Sequence, residues 1–478
     1  MFDNRDHIDF AKENIPKLFR SIFIPTLLGM AFNMAFIITD GIFVGNHIGP
    51  HGLASINLIA PIMTIINGTG MMLGIGVSVV AAIHLAKNNI KAARINVTQS
   101  FIAGGMIGLL LAIVFYSFPN TILRWVGVSE GLFASTKEYY LWFLPTCLLL
   151  LIQTLGMFVI RTDGSPKFAM ISNIVPAVVN IIMDYVLIYP CDMALKGAAL
   201  ATDIGQACGV ILVLYYMIFK TNTLKFYRVK FSRTSWRLSM RNIGYMIKVG
   251  FSGFLGELAI SVLIMIGNII FGYKLNDDGV AAWSIACYLF PLIYMTYSAI
   301  AQSAQPILSF NYGLRNKARV QQTFKHSLLV AILVGAVITL AFAVFPQAIV
   351  RIFIDTDSMA FRYASEGLPY FAIGFIFMAT NICVIGYLQS IEQARNATGI
   401  TLLRGIIYMI AAFLWMPLLL GNLGLWLAVP TSEILTVLTM LSFYKKAQED
   451  DTPGDTEDLL LDSKLKEESP VRNNLIKD

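Results

Sequence analysis

Five carboxylates stand inside long apolar stretches of this 478-residue chain: Asp40, Asp184, Asp203, Glu257 and Glu433. A charge held in hydrocarbon costs at least about 2.5–3.5 kcal/mol, so such residues face a cavity or a partner. Asn180 and Asp184 are four apart and share one helical face. Thr202 precedes Asp203, and Gln206 follows one turn later. Asp40 closes an apolar run that also carries Asn33 and Thr39. Carboxylate, amide and hydroxyl oxygens together suit a hard cation, and neighbouring carboxylates can share a proton. The chemistry is then cation or proton binding. The competing readings are Asp40 reaching to the membrane interface, and a polar cluster that glues helices together. Asp203 points about 100° away from Thr202 around its helix, toward an interface.

Glu257 lies in FSGFLGELAISVLIM, flanked by small residues. It is expected to face substrate or to form a second coupling site; the alternative is an acid hydrogen-bonded within its own bundle. Glu433 and Arg404 occupy adjacent apolar stretches and are expected to form a structural ion pair. Gly68, Gly70, Gly74 and Gly76 lack the lysine and the strand–turn–helix setting of a nucleotide loop. They predict close helix packing. The five cysteines form no CxxC pair, and His47 and His51 lack metal-ligand spacing. No catalytic constellation is visible, so the chain reads as a non-enzyme without a cofactor.

The elements that hold these residues follow from composition. Hydrophobic residues make up 56% of the chain and charged ones 13%, about half the usual ~25% of a soluble domain. This predicts an all-α integral membrane protein. Twelve runs are long enough to cross a bilayer. They lie near 18–41, 53–80, 95–117, 136–159, 168–189 and 197–219, then 243–272, 279–303, 321–345, 364–389, 397–419 and 423–445. The first is read as an uncleaved span. With the N-terminus inside, 29 of the 35 Lys and Arg fall in inside segments. This predicts that both termini are cytoplasmic. No nucleic-acid partner follows from the net charge of +6, because the charge is topological.

Residues 220–241 are polar and basic and divide the chain into 1–219, spans 1–6, and 242–446, spans 7–12. AKNNIKAAR in loop 2–3 echoes YGLRNKAR in loop 8–9, and GLASINLIAPI echoes GVAAWSIACYLFPL. The echo predicts parallel repeats about an axis along the membrane normal, forming two six-helix lobes around a central cleft. Residues 447–478 predict a disordered acidic cytoplasmic tail. Nine prolines sit within spans, among them Pro25, about four turns from Asp40. A bend there is expected to move the Asp40 end of span 1.

Several segments resemble the multidrug and toxin extrusion (MATE) transporters, closest to their bacterial DinF/MepA-like branch. They are TDGIFVGNHIGPHGLASINLIAPI, RTDGSPKFAMISNIVPAVVNIIMDYVLIY, KGAALATDIGQ and AIAQSAQPILSFNYGLRNKARV. The resemblance runs from residue 15 to about 445. It implies a secondary-active antiporter that exports cationic or amphipathic drug-like molecules in exchange for H⁺ or Na⁺. It also implies a coupling site at Asp40, Asn180, Asp184 and Thr202, which would be the metal site if the ion is Na⁺. Asp203 departs from the pattern, which has an apolar residue there. Glu257 matches the span 7 glutamate of other branches, but span 10 carries no aspartate to complete that site. The alternatives are a lipid-linked oligosaccharide flippase of the same superfamily and, in a different class, an integral-membrane lipid-modifying enzyme. A monomer embedded in the lipid bilayer is expected.

Overall fold

The computed structural model describes residues 8–229, 232–354 and 356–449, so the expected tail lies outside the described residues from 450 onward. Among the described residues there is no strand. Twelve spans follow. Spans 1–3 are single helices, Ile15–His47, Pro50–Ala86 and Ile90–Ser117. Span 4 is bent by 49° between Glu130–Phe143 and Thr146–Thr162, where Pro145 lacks the amide a continuous helix needs. Span 5 is Pro166–Ile188 and span 6 is Ala194–Tyr215, prolonged by a π-helical turn.

Spans 7 and 8 share one run, Arg233–Gly313, of 81 residues. That length would extend about 120 Å at 1.5 Å per residue, far beyond one bilayer crossing. The run is broken at Asn276, whose φ of 54° is left-handed. The helix begins at Arg233, so the second part of the 220–241 stretch is helical. Span 9 is Lys317–Val344, and span 10 bends by 45° between Met359–Ala372 and Gly374–Ser390. Span 11 runs Ala394–Leu420 through a π-helical turn at Leu403–Ile407, and span 12 is Asn422–Glu449.

The halves repeat element for element. Thr146–Thr162 and Gly374–Ser390 have the same length and lie about 228 residues apart. Ile90–Ser117 and Lys317–Val344 also match in length, at an offset of about 227. The loop echo has a local cause. Asn88 and Arg315 both take φ of 57°, and the next residues, Asn89 and Asn316, each cap a helix. A side-chain oxygen there accepts from an otherwise unpaired amide of the first turn.

Each half has its own apolar core. Two segments cross over: Phe10, Leu18, Phe19 and Ile22 pack into the second half, and Ile243 and Met246 into the first. Span 1 therefore leaves one half and joins the other near Pro25. Ile38, Leu110, Val337 and Leu419 stay exposed, forming the apolar outer surface that lipid covers.

The halves meet toward the end that carries the Lys/Arg-rich loops, here the basic end. There Arg161 Nη2 donates to Gln302 Oε1 (2.9 Å), Gln305 Nε2 to the Ile75 carbonyl (3.2 Å), and Tyr245 Oη to Glu392 Oε1 (2.7 Å). Gly76 and Gly250 let spans 2 and 7 touch backbone to backbone, since a Cβ on either would strike the carbonyl of Met246 or Met72. Span 2 changes along its length to match: Asn57, Ala60 and Pro61 are exposed, whereas residues 73–84 are buried. The lobes thus close at the basic end and part toward the other. Gly250→Val is expected to pry this seam open. Labelling of a cysteine placed at Ile75 by a water-soluble maleimide should then rise several-fold over the same cysteine beside Gly250.

The connection between the halves is pinned by one carboxylate. Asp163 accepts from Tyr216 Oη (2.8 Å), Asn222 N (2.7 Å), Thr223 N (2.9 Å), Thr223 Oγ1 (2.8 Å) and Leu224 N (2.9 Å). Asp163→Ala orphans the amides of Asn222, Thr223 and Leu224, each worth about 1–3 kcal/mol if left buried, whereas Tyr216 Oη keeps Ser165 Oγ (2.8 Å). We expect a lower thermal midpoint and faster proteolysis within 221–229, with Asp163→Asn intermediate.

Candidate functional site

Spans 1, 4, 5 and 6 assemble a polar cluster in the first lobe, in the half away from the basic end. Asp184 is fully buried and Asn180 nearly so, on one face of span 5. With its amide turned to satisfy both neighbours, Asn180 donates to Asp184 Oδ2 (3.1 Å) and accepts from Thr202 N (3.2 Å). Thr202 Oγ1 donates to the Ala198 carbonyl (3.1 Å), leaving its lone pairs toward the cluster. Spans 5 and 6 come this close because Gly205 lies against the Pro176 carbonyl and Asn180.

Asp40 lies close enough to Asp184 for their charges to act on one another. Tyr139, fully buried on span 4, is within electrostatic reach of Asp40, Asp184 and Asp203. Asp40 Oδ1 and Asp184 Oδ1 are buried without a hydrogen-bond partner. Two neighbouring carboxylates, Asp184 fully and Asp40 half-buried, each with a buried unpartnered oxygen and no cationic partner, demand a proton or a metal ion. Among the described residues, no three His, Cys, Asp or Glu side chains converge on a metal position. A metal ion here would depend on Asn180 and Thr202 to complete its oxygen shell.

Asp203 is buried within the first lobe. It is 8% exposed and accepts from Thr146 Oγ1. The bend in span 4 brings Thr146 against it, so Asp203 has a dedicated donor while Asp40 and Asp184 do not.

Glu257 is elsewhere. Asn67 of span 2 donates to its Oε2 (3.2 Å), and Thr154 Oγ1 reaches Asn67 Oδ1 (3.4 Å). Its partner is therefore in the opposite lobe, at mid-depth on the seam. Arg404 and Glu433 meet in the second lobe: Nε lies 2.9 and 2.8 Å from the two carboxylate oxygens, and Nη2 2.8 Å from Oε1. Both are buried, and Asn381 Nδ2 also donates to Glu433. The π-helical turn at Leu403–Ile407 carries Arg404.

Among the described residues, the second lobe has no counterpart to the acid cluster. At the matching level it packs rings: Phe271 against Trp283 (4.9 Å between centroids), Phe271 against Trp426 (5.0 Å), and Trp283 against Phe371 and Phe413 (5.7 Å each).

Tyr139, Thr146, Gln153 and Asn173 belong to the polar interior of the first lobe and had not been singled out. Gln153 had a usable signal, a lone amide inside LLLLIQTLG. Tyr139 had none, because KEYYLWF reads as an ordinary interfacial turn.

The MatE family model matches residues 25–186 and 254–418, covering both halves. Multidrug export protein MepA of Staphylococcus aureus (strain MRSA252) is 22% identical over 438 residues, covering 91% of this chain and 95% of its own. A solved structure described as the outward-facing conformation of a multidrug resistance MATE family transporter of the MOP superfamily superposes with a TM-score of 0.84. It is 18% identical and covers 92% of this chain and 98% of its own. A MOP superfamily transporter from Pyrococcus furiosus, described as having a binding pocket of reverse polarity that suggests a different function, reaches the same TM-score of 0.84. It is 17% identical, with the same coverage. Neighbours of differing function fit equally well, so these likenesses speak for the fold alone. The two matched halves, the twelve spans and the two-lobe repeat make this chain a member of the MatE family, a multi-pass membrane transporter and not an enzyme.

Proposed function

We propose that the chain is a secondary-active multidrug efflux antiporter. It exports cationic or amphipathic small molecules in exchange for H⁺ or Na⁺, by alternating access of its two lobes. The observation that carries this reading is the Asp40–Asp184 pair: mutually repelling when ionised, each with a buried unpartnered oxygen and no basic partner. With the basic end in the cytoplasm, the arrangement described here opens outward. A proton or Na⁺ entering from outside neutralises the pair. Span 1 then bends near Pro25, where it passes from one lobe's core to the other's. The cleft loses affinity, drug leaves, the lobes rock, and the cation exits at the basic end.

MepA is named for multidrug export, which supports the substrate class. A lipid-linked oligosaccharide carries pyrophosphate and would want unpaired arginines in the cleft. Arg404 is tied to Glu433 and Arg161 to Gln302, so no observation favours that alternative. The test is expression in a bacterium lacking its own efflux pumps. Ethidium accumulation should fall with the wild-type chain and return to the vector level with Asp40→Asn at equal protein abundance. Unchanged accumulation with the wild-type chain would reject the reading.

A further inference from the structure

From the carboxylate pair toward the basic end, the first lobe contains a second polar level. Asn33, Gln153, Asn173 and Gln206 lie four to seven positions from Asp40, Thr146, Asn180 and Thr202 along spans 1, 4, 5 and 6, about 6–10 Å at the helical rise. They line a narrow pocket that Asn180 and Thr202 also border, so it adjoins the acid site. Gln153 Oε1, Asn173 Oδ1 and Gln206 Oε1 are buried with no partner. The orientation of Gln153 is fixed, because its Nε2 donates to the Ser172 carbonyl (3.0 Å), so its free atom is the oxygen. Gln153 and Gln206 are 4% and 8% exposed. Buried carbonyl oxygens without donors are costly, and a ring of them is a cation environment.

The repeat supplies a second, independent observation. At an offset of about 228 residues, Gln153 corresponds to Asn381, Pro176 to Arg404, and Gly205 to Glu433. At this level the second lobe holds a tethered cation, the Arg404 guanidinium, clamped by its own counter-ion. The first lobe has neither the cation nor the counter-ion; it has space and orphaned oxygens.

We propose that this amide pocket is a transit site for the coupling cation, a hard monovalent ion (Na⁺ or hydronium) held by neutral carbonyl oxygens between the carboxylate pair and the basic end. It rests on the antiport reading above. Being uncharged, it holds the ion more weakly than Asp40 and Asp184 and so permits release rather than capture.

The test uses the full chain in proteoliposomes, with Gln206→Met and Gln153→Met, which keep side-chain length but lose the carbonyl. Gln206→Asn, which retains one, is the rescue. Two readouts are taken. The first is carbodiimide labelling of Asp40 and Asp184, which Na⁺ protects against at fixed pH and which, in Na⁺-free buffer, rises as the carboxyls protonate; either response reports occupancy of the acid site. The second is ethidium exchange driven by a Na⁺ gradient at fixed pH or by a pH gradient in Na⁺-free buffer; the arm that slows identifies the ion. The labelling response should be retained while exchange falls about tenfold, equivalent to ~1.4 kcal/mol on the release barrier, and Gln206→Asn should recover most of it. Wild-type exchange in both Met variants would overturn the proposal. So would parallel loss of the labelling response, since the amides would then belong to the acid site itself. A wild-type chain with neither labelling response nor gradient response would instead reject the antiport reading, and this proposal with it.

Discussion

Asp184→Asn is expected to abolish concentrative transport while leaving the protein folded. One charge crossing 100 mV supplies about 2.3 kcal/mol, and one pH unit adds ~1.36 kcal/mol. Together they support a several-hundred-fold gradient of a neutral substrate exchanged for one cation. Without a titrating or ligating carboxylate that energy has no point of entry, so the steady-state ratio should relax to about one. Asn keeps the size of the side chain and can still pair with Asn180, so the packing of spans 5 and 6 around Gly205 should survive. Asp40→Asn should behave alike. Asp203→Asn should cost less, because its carboxylate is already satisfied by Thr146. The measurement is the inside-to-outside ratio of ethidium in vesicles at imposed ΔpH and ΔNa⁺, with monodispersity in detergent as the folding control. A retained ratio well above one in Asp184→Asn would mean that the coupling ion binds elsewhere.

The second large effect concerns folding. Arg404→Ala leaves Glu433 buried, unpaired and facing Asn381. Breaking a buried pair by removing one partner costs about 3–5 kcal/mol in soluble proteins, a large part of any domain's stability. We expect a sharply lower yield and thermal midpoint. Replacing both partners, Arg404→Met with Glu433→Met, should recover most of the loss, because no orphaned charge remains. Transport by the double variant would then be near normal. Normal stability of Arg404→Ala with lost transport would instead assign the pair to substrate or ion handling.

The parts legible in sequence were those set by strong local physics. Asn180 and Asp184 share a helical face by their spacing, and each buried acid stands out against its apolar run. The repeat was legible in two short loops whose Asn caps the structure explains. What escaped depends on rotation and bending. A lone amide such as Gln153 does not state which face its helix buries. Tyr139 and Thr146 reach the acid cluster only because span 4 bends between Phe143 and Thr146. The same bend buries Asp203 against Thr146. Glu257 was expected to find its partners within its own bundle or a substrate; its partner, Asn67, comes from 190 positions away in the other lobe. The crossing of the first turns of span 1 into the second lobe was likewise invisible, because chain order alone puts those turns with the first.

The central claim is that drug moves because a cation moves through the first lobe. It is tested most directly by reconstituting the wild-type chain in liposomes, imposing a pH gradient or a Na⁺ gradient separately, and following ethidium. We predict that one gradient alone drives ethidium against its own gradient, and that Asp40→Asn abolishes this response. Ethidium that ignores both gradients, in liposomes where the protein is folded and correctly inserted, would contradict the claim.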